Sequence, residues 1–387
     1  MRSPRNRRID VTFLGALIWL AAVPLSTLVA QQADTVSFPT HDLSGVLYTH
    51  FRYGGGRDSR SANRFDVERA YFTLRARLSE RLALRLTTDV FQQDDDDRDD
   101  YYSGWTIRAK YAYLQYDLLA RSPNRNAFAA DVRLGMLNTV IIGHEDDYWP
   151  RWIAKTPLDR LGFFASADLG LASTARFGRV AEAYATVTNG TGYTSREKDR
   201  FKDVGLRLTL TPFAASDGWL GTLSVTPWGY KGARASDFSE GDGTIEPVAG
   251  ALRRDRYGVF AGIDAARITA GAEIAHSVDV VEIADPLVDI RPVNDEDTGR
   301  LLWAFAHVRP FARANGTPVP LGVLLRYDRF QPDVDRDEYS NFIVAGLTWE
   351  IGSNLSLSLD YQEESGSAVA SGAPDTRTWY LHAAASF

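Results

Sequence analysis

The chain has 387 residues, with 43 basic and 50 acidic side chains and a net charge of −7. This length exceeds one ordinary globular core, and a nucleic-acid binder would more often be basic, so we predict no nucleic-acid partner. The absence of cysteine excludes thiol catalysis, cysteine-based zinc sites and a disulfide framework.

The first thirty residues predict a secretory signal peptide. Four arginines lie between residues 2 and 8, an apolar stretch covers 11–25, and Ala30 precedes a plausible cleavage point. An uncleaved anchor is the alternative, but the apolar stretch is short for a spanning helix of ~20 residues. No later run of 18 apolar residues follows, so any further membrane crossing must use strands.

Most of the remaining sequence alternates apolar and polar residues with a period of two, which predicts strands with one apolar face. Residues 70–78, 203–211 and 355–362 show the pattern clearly. We predict sixteen strands, most longer than the ~5–6 residues usual in globular sheets. Their approximate bounds are 43–53, 64–78, 82–92, 105–118, 128–138, 168–177, 179–189, 203–212, 219–230, 252–265, 268–281, 299–311, 320–331, 339–350, 354–364 and 376–387.

The connections between these strands alternate long and short along the chain. Outer-membrane barrels place long loops outside and short turns in the periplasm, and a membrane sheet must close on itself. We therefore predict an all-β fold, in which residues 31–387 form one transmembrane antiparallel β-barrel of about sixteen strands in the outer membrane. Such a barrel is about 33 Å wide, which leaves an aqueous lumen.

The last strand carries the most specific local signal. Trp379, Leu381 and Phe387 share one face of it. A terminal Phe after alternating apolar residues resembles the signature by which outer-membrane proteins are recognised for insertion. Ala385 occupies a position that often holds an aromatic residue in that signature.

The segment from Asn63 to about Gly178 resembles the phosphate-selective porin O/P family. The residues that carry the resemblance are 64–78, 82–89, 112–116 and 133–136. The resemblance implies a sixteen-stranded outer-membrane channel, typically a homotrimer, in which some members select anions with basic residues along the pore. After Gly135, however, the family's lysine is missing, so the resemblance does not carry phosphate specificity to this chain.

The third long connection, 139–167, is too long for an ordinary loop, and we predict that it folds into the lumen. Opposed charges at such a constriction would orient polar solutes and filter charge. A loop with merely solvated charges is the alternative. The predicted constriction residues are His144, Glu145, Asp146, Asp147, Arg151, Lys155, Asp159 and Arg160.

Charged residues on the polar strand faces form the rest of the predicted pore lining, although Arg–Asp pairs that stiffen the wall are an alternative. The basic residues are Arg69, Arg75, Arg77, Arg85, Arg133, Arg207 and Arg326, and the acidic ones are Asp89, Asp131, Asp264 and Asp328. The strand 105–118 changes the parity of its apolar positions midway, which leaves the facing of Arg108 and Lys110 open. A β-bulge would explain that change.

Two further patterns have structural alternatives. The acidic stretch 92–100 could bind divalent cations but matches no defined calcium loop, which favours a solvated external loop. Aromatic residues near strand ends fit interfacial girdles or ordinary packing. They include Tyr48, Phe72, Tyr116, Trp349 and Trp379.

The predicted function is that of a porin allowing passive diffusion of small hydrophilic solutes or ions, with anions such as phosphate among the candidates. The alternatives are a substrate-specific uptake channel and a non-conducting adhesive or structural barrel. The six histidines occur in no catalytic or metal-ligand spacing, so we predict no enzyme, metal or cofactor. The predicted partners are outer-membrane lipid and lipopolysaccharide, the solutes, and two further copies in a homotrimer.

Overall fold

The computed structural model describes residues 37–54, 63–92, 104–119, 127–197, 199–235, 251–283, 293–313, 316, 318–367 and 376–387. The predicted signal peptide and nearly all of the acidic stretch 92–100 lie outside these residues. Within the described segments, no helix is long and apolar enough to cross a membrane.

The described chain folds into sixteen strands. They are β1 (Thr40–Gly54), β2 (Asn63–Arg77), β3 (Leu82–Gln92), β4 (Trp105–Asp117), β5 (Phe128–Asn138), β6 (Ala167–Phe177), β7 (Ala181–Thr188), β8 (Asp203–Leu210), β9 (Ser224–Ala235), β10 (Ala251–Ala265), β11 (Ile268–Ile283), β12 (Val293–Val308), β13 (Leu321–Gln331), β14 (Ser340–Ile351), β15 (Leu355–Gly366) and β16 (Thr376–Ser386).

Each strand pairs with its neighbours in sequence, and β1 pairs with β16 to close the barrel. At the closure, the backbone N–H of Phe387 donates to the carbonyl of Gly45, and the reverse bond also forms, both at 3.1 Å. The predicted sixteen-stranded antiparallel barrel is therefore confirmed. Closure gives every strand two partners, which a sheet surrounded by lipid requires.

Two predicted strand starts are wrong, and the ninth strand also ends at Ala235 instead of residue 230. Residues 219–222 belong to a 3₁₀ turn, Gly218–Thr222, because Gly218 has a φ of 71° and the backbone of Ser216 approaches Gly221 too closely for a Cβ. Strand β12 begins at Val293 instead of 299, because its ladder with β11 continues as far as the pair Ile283 and Val293. The polar residues at the start of β12 are typical of a loop in sequence, but their backbone pairs with β11 and is therefore a strand.

The connections sort by end of the barrel, as the alternation predicts. One end of the barrel holds the first residue of β1, the last residue of β16 and the short turns 78–81, 178–180, 266–267 and 352–354. The long connection 139–166 leaves the opposite end. That end is the extracellular one if the barrel follows the usual orientation.

Alternation along each strand separates an outer apolar face from an inner face. On β13, Leu325 and Tyr327 are exposed outwards while Arg326 and Asp328 are buried inside. Four predicted girdle residues also face outwards, each at least 45 % exposed: Phe72, Tyr116, Trp349 and Trp379. Tyr48 does not, because it pairs with Arg69 on the inner face and its ring packs 5.9 Å from that of Tyr71.

Two β-bulges shift the inner face along its strand. Tyr48 pairs with Arg69 and Thr49 with Val67, so Glu68 is the extra residue on β2. On β4, Tyr111 pairs with Thr87 and Ala109 with Thr88, so Lys110 is the extra residue. The second bulge explains the parity change predicted from the sequence and turns Lys110 and Tyr111 to the same side.

Candidate functional site: a lumen narrowed by an inserted segment

Residues 139–166, called the lumen segment below, lie inside the barrel and include the short helices α1 (Ile142–Glu145) and α2 (Pro157–Arg160). The segment bonds to inner faces on several strands. The Tyr148 hydroxyl lies 2.7 Å from that of Ser224 on β9, and the Gln362 amide on β15 donates to the carbonyl of Ile153 at 3.0 Å. The predicted fold of this connection into the lumen is confirmed.

The hydrophobic core lies between the lumen segment and the inner faces of β9–β14. From the segment, Trp149, Leu158 and Phe164 are each no more than 3 % exposed. They belong to one cluster with inward aromatic residues of the wall such as Phe260 and Trp303. Burial of this apolar surface fixes the segment against one side of the barrel. That side of the lumen is therefore filled with protein.

An ion pair on β13 strengthens this attachment. Arg326 and Asp328 are paired at 2.7 Å, with side chains 0 % and 1 % exposed. Arg326 also donates to the carbonyl of Lys155 at 2.7 Å and lies 4.6 Å from the ring of Trp149. Arg160 reaches the same carboxylate at 3.5 Å. Arg326 and Asp328 therefore lie under the segment, where their contacts hold it.

A pair of carboxyl groups lies in the same dry region. Glu273 on β11 accepts hydrogen bonds from the indoles of Trp228 at 2.7 Å and Trp303 at 2.6 Å. Glu145 on α1 is fully buried beside Glu273, and its two carboxyl oxygens have no hydrogen-bond partner among the described residues. Burial and the neighbouring Glu273 charge raise the pKa of Glu145 well above its usual range. The raised pKa favours the neutral, protonated form of Glu145 in the folded protein.

The other predicted constriction residues divide between the wall and the open space. Arg151 forms ion pairs with Asp146, at 3.1 Å, and with Asp159. His144 lies 3.0 Å from the hydroxyl of Thr226 on β9, and burial lowers its pKa to about 3. Asp147 borders a separate small cavity, and burial raises its pKa to about 6. Only Asp146 and Arg151 of the predicted set border the larger cavity described next.

The unfilled part of the lumen lies between the segment and the wall formed by β1–β4. Its cavity has a volume of about 440 Å³. Three tyrosines and three cations line it on the wall side, facing Asp146 and Arg151 on the segment. They are Tyr48, Tyr71, Tyr111, Arg75, Arg85 and Lys110.

The three wall cations are held differently from the other inward basic residues, and the cross-strand partner of Arg75 on β1 is Asp42, which lies beyond ion-pair distance. Among the described residues, none of the three forms an ion pair. Arg75 donates to the hydroxyl of Ser44 at 3.4 Å, Arg85 to that of Thr87 at 3.1 Å, and Lys110 to that of Tyr71 at 3.1 Å. Arg75 and Arg85 are direct cross-strand partners. Like charges in that position repel, so the wall concentrates positive charge at this point.

The remaining basic residues of the predicted lining are neutralised. Their ion pairs are Arg69–Asp89 at 3.4 Å, Arg77–Asp117 at 3.2 Å, Arg133–Asp131 at 3.0 Å, Arg207–Glu182 at 2.6 Å and Arg326–Asp328 at 2.7 Å. Of the predicted acidic lining, Asp264 instead accepts from the Thr269 hydroxyl at 2.9 Å. These pairs match the alternative in which charges stiffen the wall.

A second cavity, of about 420 Å³, extends towards the end that holds the short turns. Arg75 and Arg85 line both cavities, and Arg77 and His41 join them in the second. The two spaces therefore share a basic strip along β2 and β3. A solute crossing the barrel on this side would pass Arg75 and Arg85.

Sequence reasoning missed several of these residues. Tyr71 and Tyr111 lie on inner faces that alternation identifies, but neither their contact with the cavity nor the inward facing of Tyr48 could be read from the pattern. The parity change around Lys110 was the available signal.

The residues of the predicted insertion signature lie on the outer face of the barrel. Trp379, Leu381 and Phe387 are all outward-facing and more than half exposed.

Solved structures with similar folds include a porin and an outer membrane channel. An anion-selective porin from Comamonas acidovorans gives a TM-score of 0.61 at 11% identity, over 90% of this chain and 100% of that one. The outer membrane channel DcaP of Acinetobacter baumannii gives 0.59 at 12% identity, over 90% and 97%. OmpF of Salmonella typhi gives 0.58 at 14% identity, also over 90% and 97%.

The chain has a porin fold. No protein-family model matches it, and no curated protein matches its sequence. The resemblance to the phosphate-selective porin O/P family therefore stays a prediction. This fold provides a wide barrel, and the lumen segment determines how much of its interior stays open.

Proposed function

We propose that this protein is an outer-membrane porin that passes small hydrophilic solutes and prefers small anions. The observation that carries the proposal is the cross-strand pair Arg75 and Arg85, with Lys110 beside it, in the open part of the lumen. Opposite them, Asp146 is paired with Arg151, so it does not cancel the wall cations. Charged groups lining a narrow passage attract counter-ions and exclude like charges.

The lumen segment supports a fixed constriction. It is attached through a hydrophobic core and a buried ion pair, so it narrows the passage without closing it. The cavity of about 440 Å³ lies on the side that the segment leaves free. Small solutes would therefore cross along the β1–β4 wall.

Ion selectivity in planar bilayers tests the proposal. We expect purified protein to form channels whose reversal potential in a potassium chloride gradient indicates chloride preference. In the double variant Arg75→Gln/Arg85→Gln, the permeability ratio of chloride to potassium should fall towards one, because two unpaired cations leave the passage.

Arg133→Gln is the matched control, since Arg133 also faces inwards but is paired with Asp131 and borders neither cavity. It should leave the ratio close to that of the parent protein. Failure to conduct, with a β-sheet circular dichroism spectrum intact, would overturn the channel proposal and favour a non-conducting barrel. Unchanged selectivity in the double variant would overturn the anion preference alone.

The tyrosines favour a second candidate function, a selective uptake channel with a saturable anion site. Lys110 lies 4.5 Å from the ring of Tyr71, and Arg85 lies 4.3 Å from that of Tyr111, so the cations are held in place by aromatic neighbours. Positioned donors bind an anion more tightly than mobile ones. Conductance that saturates at millimolar phosphate would support this candidate, whereas a linear increase would support passive diffusion.

The proposed setting is the outer membrane, reached through the predicted signal peptide, with the long connections outside. The outward belt of exposed apolar residues on the described strands supports contact with lipid. A homotrimer remains part of the proposal. One structure of similar fold, OmpT from Vibrio cholerae, is described as a trimer form; it gives a TM-score of 0.56 at 12% identity, over 91% of this chain and 100% of that one.

A further inference from the structure

A groove on the outer face of the barrel runs along β9. Pro227 and Gly229 form its floor, because both point outwards and neither carries a protruding side chain. Leu206 and Leu208 on β8 and Tyr257 on β10 border it. The groove has a volume of about 550 Å³ and interrupts an otherwise convex apolar surface.

The strand register explains why the groove forms here. Gly229 pairs with Leu206 on one side and with Tyr257 on the other, so a residue without a side chain lies between two large ones. Next along β9, Pro227 lacks an N–H, and the β8–β9 register is interrupted at its level. Walls two strands apart are separated by about 10 Å, and the floor from Pro227 to Lys231 spans about 13 Å.

The groove ends at a cation. Lys231 is exposed, points outwards and lies two residues beyond Gly229, towards the end of the barrel that holds the long connections. Among the described residues it forms no ion pair. Its cross-strand partner Asp255 is already bound by Arg253 at 2.7 Å. Asp255 also borders the groove, which is otherwise apolar on its outward side and ends at the Lys231 cation. This arrangement fits a lipid with an anionic headgroup.

We propose that this groove binds one acyl chain of lipopolysaccharide, with Lys231 contacting a phosphate of its headgroup. The apolar floor and walls exclude a polar occupant, and the cation requires negative charge at the end near the long connections. That end faces the outer leaflet in the proposed orientation, where lipopolysaccharide is the phosphorylated lipid. The site is separate from the lumen and does not depend on the anion preference.

Native mass spectrometry of the purified full-length barrel, titrated with lipopolysaccharide in detergent, tests the site. The parent protein should retain one tightly bound molecule. Lys231→Glu should weaken that binding about tenfold or more, because a charge-assisted contact becomes repulsive. Gly229→Leu should weaken it comparably by filling the groove, and this side chain has free space, since no atom lies within 4 Å of a Cβ at Gly229.

Two outward-facing residues on β12 provide matched controls. Arg300→Gln removes a cation that already donates to Gln331 at 2.6 Å, and Ala304→Leu adds the same bulk away from the groove. Both should bind like the parent. Equal binding by all variants, or equal competition from phosphatidylglycerol, would overturn the proposal. A changed subunit number in Gly229→Leu would instead identify the groove as a contact between copies and would also overturn it.

Discussion

Cations inside this barrel differ in what neutralises them, and that difference separates wall residues from passage residues. Arg133 and Arg207 meet carboxylates at 3.0 Å and 2.6 Å, whereas Arg75 and Arg85 meet hydroxyls and each other. A like-charged cross-strand pair costs stability, of the order of 0.2–1 kcal/mol. Retaining such a pair in an open cavity is consistent with a functional requirement for positive charge there.

The repulsion itself gives a prediction. Arg85→Gln should increase the free energy of unfolding by about 0.2–1 kcal/mol at low ionic strength, because it removes one of two facing charges and the other cross-strand partner of Arg85 is the uncharged Tyr113. The gain should fade as salt screens the pair in the parent. Urea unfolding in lipid vesicles at low and high salt measures both effects. Arg133→Gln, which leaves Asp131 with only the more distant Arg176 at 3.7 Å, should be destabilising instead.

Glu145 gives a pH prediction with a defined sign. Its raised pKa means that the folded protein keeps a proton that the unfolded chain releases above about pH 4.3. Stability should therefore fall as pH rises from about 4.3 towards the raised pKa. Glu145→Gln has nearly the same shape but stays neutral at every pH, so it should be more stable than the parent at about pH 8 and similar at about pH 4.

Unfolding midpoints measured across this pH range test the Glu145 prediction. The charged groups acting on Glu145 are Glu273 on β11 and Asp146 on the segment itself. Glu364→Gln is the control, because Glu364 is partly exposed and pairs with Arg160 at 2.8 Å. Its substitution should give no gain at high pH. A parent protein whose stability rises through this range would contradict the assignment of the proton.

At the scale of elements, the lumen segment behaves as part of the core and not as a loop. Its aromatic residues and those of β9–β14 form one cluster, and Arg326 with Asp328 lies beneath it. Buried ion pairs are stable only when their hydrogen bonds are satisfied, and here Arg326 also donates to the carbonyl of Lys155. The segment therefore depends on that pair being complete.

Breaking the pair should loosen the segment. Arg326→Met leaves Asp328 buried with only the more distant Arg160, at 3.5 Å, as a cationic partner. This loss should cost up to about 3–5 kcal/mol of unfolding free energy and increase current noise in single channels. The double variant Arg326→Met/Asp328→Leu removes both charges and should recover most of the stability. Urea unfolding and single-channel recording measure these outcomes. A double variant as unstable as the single one would show that the pair is not what holds the segment.

Strand number, strand order and the insertion of residues 139–166 could be predicted because alternation and loop length follow directly from membrane geometry. Partners could not be predicted, because alternation gives a residue's face but not what lies opposite it. Arg75 and Arg326 look alike in sequence, yet one lies in a cavity and the other under the segment. The 3₁₀ turn at Gly218 and the inward Tyr48 were missed because local backbone approach and a bulge decided them.

At the scale of the whole molecule, a chain of net charge −7 contains a lumen cavity whose wall charges without an ion pair, among the described residues, are positive. Local placement therefore outweighs overall composition in deciding which ions enter. The exposed acidic residues and the lumen cations also lie in different dielectric surroundings, so salt screens them differently.

Ionic strength should change the selectivity of the intact channel. At about 0.1 M salt the Debye length is ~10 Å, comparable to the passage, and at about 1 M it falls to ~3 Å. Chloride preference should therefore be clear in dilute gradients and weak in concentrated ones. Reversal potentials at several mean concentrations measure this. The Arg75→Gln/Arg85→Gln variant should show little preference throughout, and a salt-independent preference in the parent would point to steric selection instead.

The attachment of the lumen segment to one wall has a consequence for transport itself. Because the core covers most of the inner faces of β9–β14, an ion crossing the proposed channel would leave the barrel axis and follow the inner surface of β1–β4. Its motion resembles diffusion over a surface more than flow through a tube. The number of strands then fixes the diameter of the barrel but not the width of the open space through which an ion would move. Adding strands would leave that width nearly unchanged.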